Sequence, residues 1–280
     1  MMVHEKIEVF ANTKPSEVCL VHGKIKVTYR QLADRINYLS HKLSSILNKN
    51  EKVVIKLKAP ILQLCYFIAS NKAGVASVLV DSSVPKNLSQ KILEEAQASL
   101  LIDESFILPD NALNSLPDID MDDIFLGVLS SGSTGTPKLI WRNYRSWVEA
   151  FPVQSEIFNL GCNDSLFLAG SLSYSANLNS CLHILHEGGK VVFASSKWVG
   201  RWVKEIISSN VTSIFMVPAN YRILLKALKS PVSSVNSLIS AGAKIDLKTI
   251  ISLKRYFPCA QICEYYGASE LGHVSYAYFE

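Results

Sequence analysis

Short runs of β-branched and aliphatic residues recur along the chain, each followed by a longer stretch of helical periodicity, and this alternation restricts the fold severely. Residues 53–57, 75–80, 99–103, 124–129, 165–169, 191–194, 213–217, 237–241 and 260–265 have the length and character of strands. Residues 61–72, 87–98, 143–157, 176–186, 200–209, 219–229 and 246–256 predict helices. In the second of these, Leu88, Ile92 and Leu93 share one face and charge lies opposite. Asp246 is placed to cap the last helix, and Gly188 with Gly189 to stop the fourth. Repeated strand–helix units need a parallel sheet whose two faces are both covered, because each crossover lays its helix on a sheet face. The fold class is therefore α/β, with mostly parallel sheets flanked by helices.

Composition removes several function classes. A chain of 280 residues, 49% hydrophobic and 19% charged, is globular and has ample core for one large domain or two modest ones. Its net charge of +4 is mild and its lysines are scattered. The richest cluster, Lys49 to Lys58, alternates with apolar residues and reads as a solvated strand face, so nucleic-acid binding is not expected. Residues 61–80 form the most apolar twenty-residue window. Gln63, Asn71, Lys72 and Gly74 interrupt it, which predicts helix–turn–strand and no membrane span. The first residues lack the apolar core of a secretory signal. Six cysteines (19, 65, 162, 181, 259 and 263) show no Cys-x-x-Cys spacing, and the simple reading is reduced, buried and cytoplasmic. His183 and His186 fit one helical face but lack the further ligands a zinc site needs. The acidic, proline-containing stretch 103–123 suggests a junction between approximate subdomains 1–115 and 116–280.

Residues 130–138 carry the chemistry. Ser130, Ser131, Gly132, Ser133, Thr134, Gly135, Thr136, Pro137 and Lys138 directly follow a strand-like run. Glycines let backbone N–H groups turn toward an anion, Ser and Thr add hydroxyl donors, and the lysine adds a mobile positive charge. These are parts for holding a polyphosphate. The spacing is not that of the P-loop NTPases, which need Gly, four residues, then Gly-Lys-Ser/Thr.

The run resembles the phosphate loop of the adenylate-forming superfamily of acyl-CoA synthetases, luciferases and peptide-synthetase adenylation domains. Glu264 to Glu270 (Glu-Tyr-Tyr-Gly-Ala-Ser-Glu) is similar to that family's adenine and magnesium motif, Tyr-Gly-x-Thr/Ser-Glu. Ser240 to Lys244 resembles its small-residue adenine segment. Val27 to Leu32 and Asn71 to Asp81 resemble two of its structural segments. The resemblance covers nearly the whole chain and implies stacked, mostly parallel sheets. It also implies ATP and Mg²⁺ as cofactors and CoA as the acceptor.

It further implies residue roles. Ser130, Ser131, Gly132, Ser133, Thr134, Gly135, Thr136 and Lys138 would hold the ATP phosphates. Ala241, Gly242, Ala243, Tyr265, Tyr266 and Gly267 would surround adenine. Ser269 would reach the α-phosphate and Glu270 would bind Mg²⁺, so that Lys138, Ser269 and Glu270 form the catalytic set.

Three departures accompany the resemblance. Tyr174 stands where acyl-activating relatives carry a histidine that gates the acyl pocket, and Leu139 replaces the glycine usual after the loop lysine. The sequence also stops at Glu280, so residues 1–280 are expected to be an incomplete AMP-binding N-terminal domain. It would be truncated before the β-barrel subdomain and the C-terminal domain with its lysine, leaving apolar sheet edges uncovered. The expected activity is ATP-dependent activation of a small carboxylic acid, as in acid–thiol ligases, with apolar or fatty acids favoured because no acidic residue lies around Tyr174. The alternative is a catalytically incomplete pseudoenzyme or split-protein fragment that binds ATP, AMP or a partner chain supplying the missing domain.

Overall fold

The computed structural model describes residues 1–110, 114–130 and 138–279. The elements begin with α1 (Val3–Thr13), β1 (Val18–His22), β2 (Ile25–Thr28), α2 (Tyr29–Leu43), β3 (Lys52–Ile55), α3 (Pro60–Lys72) and β4 (Ala76–Leu79). They continue through α4 (Lys86–Glu95), β5 (Leu100–Ile102), β6 (Ile124–Ser130), β7 (Lys138–Asn143), α5 (Arg145–Val148), α6 (Phe151–Phe158) and β8 (Ser165–Leu168). The remainder comprises α7 (Ser175–Glu187), β9 (Lys190–Phe193), α8 (Val199–Ser208), β10 (Ser213–Met216), α9 (Pro218–Ala227), β11 (Ser237–Ser240), α10 (Leu247–Tyr256), β12 (Gln261–Ala268) and β13 (Gly272–Phe279).

The chain divides into two compact, interleaved units. The first comprises Met1–Ser16, Thr28–Glu149 and Ser171–Leu178, and the second Glu17–Val27, Ala150–Gly170 and Asn179–Glu280. The first holds a five-stranded sheet ordered β5-β3-β4-β6-β7, parallel except for the final β6–β7 pair. Residues 116–149 stay with this unit because β6 pairs with β4 and β7 with β6. The second holds an eight-stranded sheet ordered β13-β12-β11-β10-β8-β9-β1-β2, parallel from β12 to β1 and antiparallel at β12–β13.

The α/β alternation is as the sequence predicts, with differences that have physical causes. The Lys49–Lys58 stretch is no solvated strand face. β3 lies between β4 and β5, and Val53, Val54 and Ile55 are fully buried. Its lysines sit at the strand ends, where Lys52 lies over the Trp141 ring and Lys56 donates to the Val84 carbonyl. The helix expected over 143–157 is β7's last residue followed by two short helices. Pro152 in the first turn of α6 has no N–H to continue the ladder from α5. All six cysteines are free. Four are buried, but Cys162 and Cys259 are exposed in turns.

His183 of α7 shows what burial does to an ionisable core residue. Its Nε2 lies 2.8 Å from the Ser155 hydroxyl and its ring stacks on Phe151 at 5.2 Å between centroids. Burial, helped by neighbouring His186, lowers its pKa from 6.5 to about 3. The folded chain keeps this ring neutral, whereas the unfolded chain takes up a proton below its ordinary pKa. Stability is therefore complete above that pH and falls by about 1.4 kcal/mol per pH unit as the pH drops toward the folded value. His4, lowered by burial to about 4, acts with the same sign. Urea midpoints across mildly acidic pH should fall steeply for the wild type and less steeply for His183→Gln. Superimposable pH curves would remove His183 from acid sensitivity.

Candidate nucleotide site

β10, β11 and β12 are adjacent and parallel, so their carboxyl ends open on one side, where sheets of this kind collect ligands. Ser240, the last residue of β11, is in register with Glu264 of β12. The small segment that follows divides by burial: Ala241 is buried, whereas Gly242 and Ala243 are exposed. Gly242 has φ +84°, the left-handed region in which glycine carries no steric cost. The backbone thus turns sharply beside β12 with no side chain above the turn.

Two residues that motif reasoning left without a role hold this turn. The Glu264 carboxylate accepts a hydrogen bond from the Ile245 backbone N–H at 2.6 Å, tying the far end of the segment to β12. Tyr221 of α9 is completely buried, with its hydroxyl 2.8 Å from the Ile214 carbonyl and 3.0 Å from the Ile239 carbonyl. It bridges β10 and β11 just below the turn. Its desolvated phenol is raised well above the ordinary tyrosine range, so it remains a donor. Periodicity marks Tyr221 only as a core position, and no sequence signal distinguishes Glu264 from a solvated strand carboxylate.

The paired tyrosines separate because successive strand residues point to opposite faces. Tyr265 is buried against Phe158, Phe215 and His273, with centroids 5.3, 6.1 and 5.0 Å away. Tyr266 is 64% exposed and presents its ring to solvent. Gly267 follows at a register shift between β12 and β13, and a Cβ there would lie 2.7 Å from the Gly272 carbonyl oxygen. Glycine lets the two strands close into a hairpin. Ser269 is half-buried and Glu270 exposed in its turn, which the Leu271 N–H to Ala268 carbonyl bond closes.

In the first unit, Ser130 ends β6, Lys138 begins β7, and the two are paired across the antiparallel ladder. The Ser130 hydroxyl donates to the Lys138 carbonyl at 3.4 Å, and Lys138 is exposed. Ser131, Gly132, Ser133, Thr134, Gly135, Thr136 and Pro137 lie outside the described residues. Tyr174 also belongs to the first unit, where its N–H bonds the Ser171 carbonyl and its carbonyl accepts from Leu178. Burial raises its phenol pKa, so it stays neutral at physiological pH.

Among the described residues no group of three or more His, Cys, Asp or Glu side chains converges as a metal cage. Glu270 fits the other way of holding a hard divalent cation. Mg²⁺ commonly takes one or two carboxylates, substrate phosphate oxygens and several waters, and this carboxylate stands open to solvent.

Comparison with known proteins follows the same lines. A putative long chain fatty acid–CoA ligase from Staphylococcus epidermidis is 25% identical over 278 residues, covering 98% of this chain and 60% of the relative. A D-alanine–D-alanyl carrier protein ligase from Staphylococcus aureus is 23% identical over 95% of this chain and 59% of its own length. The chain thus spans about three fifths of these relatives. Among solved structures, the Klebsiella oxytoca NpsA N-terminal subdomain in complex with 3-hydroxyanthranilyl-AMSN superposes with a TM-score of 0.88 at 21% identity. That match covers 99% of this chain and 75% of the other. No helix among the described residues is long and apolar enough to cross a membrane. The profile of the AMP-binding enzyme family matches residues 7–117 and 103–280, and with nearly every residue so covered the chain belongs to that family.

Proposed function

We propose that this chain supplies the nucleotide-binding part of an ATP-dependent carboxylate-activating ligase. The supporting observation is the side-by-side placement of Ala241–Ala243 and Tyr266–Glu270 at the carboxyl ends of neighbouring parallel strands. A carboxylate oxygen attacks the ATP α-phosphorus, the bond to the bridging oxygen breaks, and pyrophosphate leaves as the acyl adenylate forms. Such chemistry needs alignment and charge neutralisation rather than a protein nucleophile. Lys138 and the hydroxyl-rich run before it bind the β- and γ-phosphates. The exposed ring of Tyr266 stacks on adenine over the open turn at Gly242, and Ser269 hydrogen-bonds the α-phosphate. Glu270 holds Mg²⁺, which neutralises phosphate charge when bound. Tyr265 supports this surface from the core.

Tyr174 borders the acyl group. No acidic residue lies near it in sequence to hold an α-amine, which supports an apolar acid as the substrate, and the family resemblance supports CoA as the acceptor. The free cysteines agree with a cytoplasmic location. Calorimetry with MgATP tests the reading. The wild-type chain should bind, and Lys138→Ala and Glu270→Ala should each weaken binding at least about tenfold, the effect of losing one charge-assisted contact. Both side chains are exposed, so neither variant should lose structure. A folded wild-type chain that ignores MgATP would refute the assignment. ATP–pyrophosphate exchange stimulated better by amino acids than by fatty acids would overturn the substrate class.

A further inference from the structure

Trp198 is 64% exposed, yet it is held firmly. Its backbone N–H donates to the Ser196 hydroxyl at 3.0 Å, and the Ser196 carbonyl accepts from the Trp202 indole at 2.6 Å. Ser195 is anchored through its hydroxyl and N–H to Glu205, a buried carboxylate that also receives Arg201 Nε at 3.3 Å. The Trp198 ring lies directly on Gly200, where a Cβ would come within 2.7 Å of it, and the Lys204 ammonium stands 5.8 Å from the ring. The indole is therefore displayed in a fixed pose.

Its surroundings are strongly basic. Arg201 and Lys204 share the exposed stripe of α8, and Lys197 precedes Trp198. The β1–β2 turn is adjacent, because a Cβ added at Gly23 would lie 3.4 Å from the Ser195 Cβ, and it carries Lys24 and Lys26 around the 57%-exposed Ile25. Lys26 is close enough to Lys190 to help lower its pKa, although burial is the larger cause. Between residues 18 and 28, and again between 189 and 204, there is no acidic residue. Glu205, the next acidic residue after Lys204, is buried and bonded, while Glu17 and Glu187 lie just outside the other ends of these stretches.

We propose that this face of the second unit docks on anionic lipid bilayers, with Trp198 entering the interfacial layer and the surrounding lysines meeting the headgroups. An indole has an apolar body and a polar N–H suited to the bilayer interface, and lysines extend their charge toward headgroups while their stems cover apolar surface. The exposed cations here are almost all lysine, four (Lys24, Lys26, Lys197 and Lys204) against one arginine. Lysine is depleted and arginine enriched at protein–protein interfaces, which favours lipid over an acidic protein.

Cosedimentation of the full chain with phosphatidylcholine–phosphatidylglycerol vesicles, followed by tryptophan emission, tests this. The wild type should bind mixed vesicles with a blue shift, bind pure phosphatidylcholine far less, and be released by salt. Lys197→Gln and Lys204→Gln should each weaken binding about fivefold. Trp198→Ala should weaken it roughly tenfold and abolish the blue shift. These exposed positions should leave the circular dichroism spectrum and MgATP affinity unchanged, and Glu270→Ala should bind vesicles like the wild type, so the nucleotide and lipid readings fail separately. No vesicle binding, or binding equal in all variants, would overturn the proposal. A Trp198 emission shift with polyglutamate but not with vesicles would overturn it in favour of an acidic protein.

Discussion

Tyr221→Ala should destabilise the second unit by about 3–5 kcal/mol, the range for removing a large aromatic side chain from a close-packed core. Tyr221 has no exposed surface and belongs to the cluster that includes Phe167, Ile214, Leu224, Leu238 and Ile262. Truncation leaves a cavity and also removes the hydroxyl that bridges the Ile214 and Ile239 carbonyls. Tyr221→Phe separates the two contributions, because it keeps the ring and deletes only the hydroxyl. It should cost about 1–2 kcal/mol, the effect of one buried hydrogen bond. Urea titrations of the three proteins decide the matter. Equal losses in the Ala and Phe variants would mean that the bridge, not packing, holds β10 to β11. A loss below about 1 kcal/mol for Ala would contradict the buried placement itself.

Much of this architecture was legible because its signals are local. The Asp246 cap is real, with its carboxylate accepting from the Thr249 N–H at 2.9 Å. Gly188, at φ +89°, ends α7 where the glycine pair predicts a stop. The interruption of the apolar window by Gly74, at φ +74°, marks the turn between α3 and β4. What the sequence hid depends on neighbours far along the chain. Lysines flanking Val53 and Ile55 look like a solvated face until β4 and β5 enclose the strand. Pro152 was a visible break, but the helical periodicity around it obscured that signal. β13 returns antiparallel beside a run of six parallel strands, an arrangement set by the tight turn at Gly267–Gly272 rather than by a crossover.

The candidate site divides in the same way. Motif order identifies Tyr266 and Glu270, while strand alternation alone explains why Tyr265 turns inward. The supports, Glu264 and Tyr221, act through a backbone N–H and two backbone carbonyls, contacts that leave no pattern in side-chain spacing.

Gly267→Ala should then reduce MgATP affinity about a hundredfold while leaving most of the fold intact. The added Cβ meets the Gly272 carbonyl oxygen at 2.7 Å, a backbone atom that cannot rotate away. The strain relaxes by parting β12 from β13 at the register shift, which displaces Tyr266 on one side of position 267 and Ser269 and Glu270 on the other. A hundredfold loss is about 2.7 kcal/mol, within reach when a stacking ring, a hydrogen-bonding hydroxyl and a carboxylate are displaced together. The hairpin lies at the edge of the sheet, so the cost to global stability should stay within about 1–3 kcal/mol. Calorimetry and urea titration on the same preparation separate the two effects. Wild-type affinity in Gly267→Ala would show that the hairpin does not position the nucleotide, and the motif glycine would then serve strand closure alone. Loss of affinity equal to that of Glu270→Ala, without unfolding, would show that the turn acts by aiming this carboxylate.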